Sequence, residues 1–139
     1  MIETAIDVPL PVHDELSAPY WAALEEGRHV FARCSVCRNA WLPPRRECPR
    51  CLEPAWTWET ASGAARLISW VVYHIAFHPA FKGRLPYTVA IVELAEGPRL
   101  ISNLVDVDDP ERLQIDQPLR LTIERERDVA VPRYRPETC

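Results

Sequence analysis

The amino-acid sequence predicts a mainly β protein: a short N-terminal helix, a four-cysteine metal ribbon, and a C-terminal barrel of five strands. Three observations predict it. Fourteen prolines against four glycines in 139 residues disfavour long helices, because proline removes a backbone donor and fixes φ. Two C-x2-C pairs stand close together near the front of the chain. Beyond residue 62, short β-branched and aromatic runs alternate with turn residues. The boundaries expected are an arm and helix over 1–27, the ribbon over 28–61 and the barrel over 62–139.

Residues 1–13 show no period and are expected to form an extended or mobile arm. Ser17-Ala18-Pro19 is a helix start with proline in the first turn. Leu16, Tyr20, Ala23 and Leu24 then share one face, and Gly27 follows as the C′ residue, giving about three turns. Two adjacent aromatics, Tyr20 and Trp21, are heavy for so short an element. They serve either to dock the helix on its own chain or to contact a partner or substrate channel.

Val30–Arg33 is a strand entering the first cysteine pair, and Ala40–Pro43 leaves it. Trp56–Glu59 alternates aromatic and polar residues, as a half-buried strand does. Between them the cysteines read C-x2-C-x10-C-x2-C: Cys34, Cys37, Cys48 and Cys51. Each C-x2-C makes a tight knuckle that aims two thiolates at one ion. Two knuckles complete the tetrahedron of a closed structural zinc site. Iron in a rubredoxin-like site is the alternative for the same soft ligands. Four protein ligands leave no open position for substrate, so such an ion is structural. Cys139 stands apart and is expected to be a free thiol.

In the second half, Leu67–His74, Tyr87–Leu94 and Arg99–Val105 are strands, and Asp108-Asp109-Pro110 opens a helical turn to Leu113. Leu119, Leu121 and Ile123 alternate with Arg120, Thr122 and Glu124 in a clean period of two, and Val129–Tyr134 is the last strand. Five strands with a helical interruption after the third fit a Greek-key barrel of the OB type. Ile75–Pro86 is a long loop holding His74-Ile75-Ala76-Phe77-His78-Pro79-Ala80-Phe81 at its start. His74 and His78 sit four apart, but Pro79 argues against the helix that would align them as ligands. Either they are structural, or the loop reaches a partner with Phe77 and Phe81 as anchors. Arg45 and Arg46, with Arg50, make a local basic patch: solubilising, or a contact for a phosphate such as that of coenzyme A.

The net charge of −4 argues against nucleic acid, which needs clustered Lys and Arg. No apolar run of about 18 residues suggests a spanning helix, and the first fourteen residues lack a secretory pattern. The expected compartment is cytoplasmic, where paired cysteines point to metal before disulfides. No nucleophile elbow, zinc-protease motif or phosphate loop is present, and no carboxylate pair identifies an acid–base dyad.

The chain resembles the OB-fold, acyl-CoA-associated family with an N-terminal rubredoxin-like zinc ribbon, carried as a domain of unknown function. The resemblance runs through Tyr20-Trp21, Leu24, Gly27-Arg28, Arg33–Cys37, Pro43-Pro44-Arg45 and Cys48–Cys51. It continues through Ser62-Gly63, Ser69–Val72, His78–Phe81, Leu85–Tyr87, Glu93-Leu94, Glu96–Leu100 and Asn103-Leu104. It implies partnership with a thiolase-like protein in a hetero-oligomer: a thiolase, an acyltransferase or an aldolase of steroid side-chain breakdown. Other members associate with hydratase subunits acting on acyl-CoA. It implies catalytic residues on the larger partner, with the small subunit shaping the acyl-CoA site. Gly63-Ala64-Ala65 and Asp116-Gln117-Pro118 depart from the family pattern at two turns.

Overall fold

A computed structural model describes residues 7–137. Residues 1–6 of the expected arm, and Cys139, lie outside the described residues. Helix α1 spans Ala18–Glu25. Strands β1 (Val30–Cys34), β2 (Ala40–Trp41) and β3 (Trp56–Thr60) form an antiparallel sheet in the order β2-β1-β3. Strands β4 (Ala64–Tyr73), β5 (Tyr87–Leu94), β6 (Arg99–Leu104), β7 (Pro118–Glu126) and β8 (Val129–Pro136) close a barrel in the order β4-β5-β6-β8-β7. The pairing is antiparallel except between β6 and β8, which meet in parallel at Leu104 and Tyr134. The mainly β architecture and the five-stranded OB barrel are as the sequence predicts.

The helix has eight residues, about two turns, where the sequence predicts about three. It starts where the sequence places it, after Ser17, and a separate turn precedes it. There Asp14 accepts from the Ser17 N–H at 2.7 Å, and Ser17 Oγ accepts from the Asp14 N–H at 3.2 Å. The far end is a Schellman cap, with Arg28 N–H donating to Ala23 O at 2.9 Å and Gly27 N–H to Leu24 O at 3.0 Å. Gly27 sits at φ +85°, where a side chain is strained.

The long loop between β4 and β5 also differs, because it holds a 3₁₀ helix over Pro79–Arg84. Pro79 opens it and His78 caps it: Nδ1 of His78 accepts from the Ala80 N–H at 3.1 Å. The expected turn before β7 is Pro110–Arg112, capped by the Asp109 carboxylate. Asp116 occupies the left-handed region at φ +67° in the turn entering β7, a conformation aspartate tolerates better than most residues.

The barrel core contains Leu67, Val92, Leu94, Leu104, Leu119 and Tyr134, and β1 sends Phe31 into the same cluster. A second cluster joins Tyr20, Ala23 and Leu24 of the helix to Val30 and Ala130. Ribbon and barrel therefore share packing through β1 rather than meeting only at a linker.

Candidate functional site

The four cysteines come together. Their Sγ atoms all lie within 4.8 Å of one another, with 3.6 Å between Cys34 and Cys51 and 3.7 Å between Cys37 and Cys48. Those separations are far from a disulfide's, about 2.0 Å. Thiolates at about 2.3 Å around one ion form a tetrahedron with edges of about 3.8 Å. Each knuckle is built the same way. Val36 and Cys37 N–H groups donate to Cys34 Sγ at 3.4 Å, and Arg50 N–H donates to Cys48 Sγ at 3.4 Å. Arg38 and Leu52, each following the second cysteine of its pair, both turn the chain at φ +65°.

Burial opposes ionisation of Cys48, yet N–H groups of Cys51 and Arg50, the Cys37 thiol and the Asn39 amide bring it down to about 6. At Cys51 the Glu53 N–H favours the thiolate, but burial and the three neighbouring thiols push it up to about 12. Four sulfurs this close cannot all carry charge without a cation among them. The donor set therefore fits a metal ion, and the cluster can hold one.

Beside the ribbon runs a groove of ≈730 Å³. Trp21 and Leu16, the Leu42-Pro43-Pro44 segment, Leu100 and Ile101 of β6 and Val131 of β8 line it. Trp21 is half-buried and stacks on His13 with ring centroids 5.3 Å apart. Arg45 and Arg46 follow Pro44 at this wall and are exposed. Tyr20 is different from its neighbour. It is 7% exposed, and its hydroxyl is engaged with His29, so its polar end is turned inward rather than offered to a partner.

The histidine loop presents a second surface. Phe77 is 81% exposed and meets the ring of Tyr73 edge-on. Phe81 is half-buried between His78 and Tyr87, with Arg84 over its face at 5.4 Å. His74 is exposed. His78 spends Nδ1 on its cap, and neither histidine belongs to a metal-ligand group among the described residues. A small cavity beside Phe81 shares Asn103 and Arg133 with the groove, so the two surfaces adjoin.

One polar cluster escaped the sequence. His29 is fully buried between two tyrosines, with Nε2 2.9 Å from the Tyr20 hydroxyl and Nδ1 2.9 Å from the Tyr134 hydroxyl. It ties helix, ribbon and barrel at one point. Burial pushes His29 down to about 4, with the Glu96 carboxylate pulling the other way, and burial pushes both tyrosines up. A lone histidine before an apolar strand carries no motif. Its partners are 9 and 105 residues away, so no spacing could have found it.

A family model described as ChsH2, C-terminal OB-fold domain, matches residues 58–124. The chain is 36% identical over 129 residues to a probable enoyl-CoA hydratase alpha subunit of Thermomonospora curvata, covering 92% of this chain but only 40% of that relative's length. It is 35% identical over 98 residues to a DUF35 domain-containing scaffold protein of Methanothermobacter thermautotrophicus, covering 70% of this chain and 72% of the relative. Among solved structures it resembles a chain of the Ltp2-ChsH2(DUF35) aldolase with a TM-score of 0.80 and 34% identity, over 91% of this chain and 98% of that one. A DUF35 protein of unknown function from Sulfolobus solfataricus, at 12% identity and a TM-score of 0.62, shares the fold. No helix among the described residues is long and apolar enough to cross a membrane.

Proposed function

The chain belongs to the DUF35 family, and on that premise we propose that it is a non-catalytic accessory subunit of an acyl-CoA-processing complex. Its partner is a thiolase-like protein that carries the reacting residues for carbon–carbon cleavage or acyl transfer, with steroid side-chain degradation the specific setting. The observation that carries this reading is the likeness to the Ltp2-ChsH2(DUF35) aldolase chain over 98% of that chain's length. The likeness to proteins described as scaffolds points the same way.

Each part of the molecule has a place in this reading. Cys34, Cys37, Cys48 and Cys51 hold zinc, which supplies cross-linking and no open coordination position. Trp21, His74, Phe77, His78 and Phe81 contact the partner or the substrate channel. The groove beside Trp21 takes part of the acyl-CoA, with Arg45 and Arg46 near its phosphates. The small subunit thereby orders the partner and shapes its site.

Co-expression with a thiolase-like protein of the same genome tests the proposal. The two are expected to copurify, and the partner's acyl-CoA activity to depend on this chain. Separation of the two, with activity unchanged in its absence, overturns it. Metal analysis is expected to give one zinc per chain, whereas one iron with a visible absorption band would replace zinc by a redox site.

A second reading has a specific observation behind it. The match to a hydratase alpha subunit covers 92% of this chain, which favours a hydratase complex as the alternative acyl-CoA partner. A single-stranded nucleic-acid module is the remaining alternative, since OB folds and ribbons both serve there. The acidic net charge disfavours it, and salt-dependent binding of single-stranded DNA would restore it.

A further inference from the structure

The two halves of the barrel obey different rules on their outer surfaces. On β7 the outward residues Arg120, Thr122, Glu124 and Glu126 are polar or charged, and Arg120 and Thr122 face Arg135 and Arg133 of β8; only towards the start of β8 do Val131 and Val129 stand opposite Glu124 and Glu126. That alternation is what a barrel wall facing water requires. On β4, β5 and β6 it fails. Thr88, Ala90, Val92 and Leu94 of β5 point inward and are buried, so Tyr87, Val89, Ile91 and Glu93 point outward.

The register extends this outward set across three strands. Ser69, Ile91 and Ile101 form one row; Val71, Val89 and Asn103 form the next; Tyr73 and Tyr87 form a third. Val71 is 53% exposed, Ile91 37% and Ile101 73%. The third row runs on into Phe77 through its contact with Tyr73. Strands apolar on both faces belong to sheets covered on both faces. Among the described residues only the inner face is fully covered by the chain itself, the outer face being bordered at Val89 and Ile101 by the groove.

A fourth row closes the patch with charge that cancels. Arg66 and Arg99 both bind Glu93, at 3.0 and 2.7 Å, and Arg66 also binds Asp116. Two arginines thus meet two carboxylates, leaving no cation for a nucleic-acid or lipid phosphate. What fits the surface is an apolar protein face. Four rows about 6.8 Å apart on three strands about 4.8 Å apart span about 400 Å². A stable interface needs about 800 Å² on each side. The sheet face supplies about half, and the adjoining loop with Ile75 and Phe77 extends it.

We infer that the outer face of β4–β5–β6, centred on Val71, Ile91 and Ile101, is the surface that the partner enzyme covers. The occupant is a protein of different sequence, because the solved relative that matches this chain belongs to a two-component aldolase. The inference rests on the accessory-subunit reading and adds to it the location of the interface. Ile101 and Val89 also line the groove beside Trp21, so a partner on this face would roof that groove.

The test uses the full chain co-expressed with its thiolase-like partner. Ile101→Glu and Val71→Glu are expected to weaken the complex at least about tenfold, the scale of a charge forced into an apolar interface centre. Ile115→Glu serves as control, since Ile115 is 69% exposed but lies outside the face. Far-UV circular dichroism of the isolated variants is expected to match wild type, as both substituted side chains face solvent. Hydroxyl-radical footprinting of the wild-type complex, which needs no variant, is expected to protect Val71, Ile91 and Ile101. Undiminished binding by both variants, or no protection, overturns the face while leaving the accessory-subunit reading standing. Failure of the wild-type chain to copurify overturns both. A wild-type homodimer that Ile101→Glu dissociates would make the occupant a second copy and overturn the inference.

Discussion

The ribbon and the barrel are both small β structures, yet they are held together by different forces. The barrel closes on itself around fully buried Leu67, Val92, Leu94, Leu119 and Tyr134, with backbone pairing along every seam. The ribbon's own buried cluster is Ala32, Cys34, Trp41 and Cys48, and two of those four are candidate metal ligands. A barrel with an apolar core needs no ion to fold. A ribbon whose core is half ligand does. The difference teaches where stability and sensitivity reside: the front of the chain depends on its cysteines, and the back on its packing.

The largest expected effect breaks the ribbon alone. Stripping the metal, or the Cys48→Ser variant, removes binding energy of about 10 kcal/mol or more that drives folding of such sites. Hydrogen exchange should then show lost protection over 30–60, while amides of β5 and β7 stay protected. Phe31 is the joint through which damage could spread, since β1 carries it into the barrel core. Equal loss in both regions would show that they form one cooperative unit.

The next effect breaks the barrel and spares the ribbon. Leu119→Ala removes a fully buried side chain and is expected to cost about 2–5 kcal/mol by chemical denaturation. Metal content should stay unchanged. A variant that also lost its metal would contradict the division of labour between the two regions.

A third effect sits at the point where the regions meet. His29 is held neutral by burial, with its folded pKa near 4 against about 6.5 unfolded. The unfolded chain therefore takes up the proton first as pH falls. The stabilisation is fully present above about pH 6.5 and is lost progressively towards pH 4, by about 3 kcal/mol in all. Arginine pairing holds the carboxyls of Glu25, Glu93 and Glu126 below the usual carboxylate range, so their own contribution starts to be lost only as pH falls to the ordinary carboxylate value of about 4.3, below the range from pH 7 to 5. Denaturation of wild type and His29→Gln between pH 7 and 5 checks it, and the variant should lose the slope. An identical slope in both would assign the acid sensitivity to the cysteine site instead.

The smallest effect concerns the surface. Arg125 pairs with Glu25 at 2.6 Å, joining helix to barrel, but both side chains are solvent-exposed. Arg125→Ala is expected to leave the melting temperature unresolved from wild type, because exposed pairs are screened and entropically costly. A clear drop would mean that the helix is held by charge rather than by Tyr20 and Leu24.

These two regions were unequally legible in the sequence. The ribbon was readable because metal geometry constrains spacing: two C-x2-C pairs state their purpose locally. The barrel strands were readable because period-two patterns and turn residues are local as well, and Tyr87–Leu94 falls where the pattern places it. What was hidden is what depends on distant partners. Asp14 and Ser17 form a turn of their own just ahead of the helix. His29 found Tyr134 across 105 residues. Tyr20 and Trp21, adjacent and alike in sequence, point to different fates, because one ring faces the His29 cluster and the other the groove. The apolar outer face of β4–β6 was present in the sequence as runs such as Trp70-Val71-Val72, but only the register showed that its members share one surface.

In the proposed role this chain supports chemistry performed elsewhere. The decisive measurement is turnover of an acyl-CoA thioester by the metal-loaded chain alone, by the proposed partner enzyme alone, and by the two together. No turnover is expected from the isolated chain, and full activity only from the pair. Turnover by the isolated chain would contradict it.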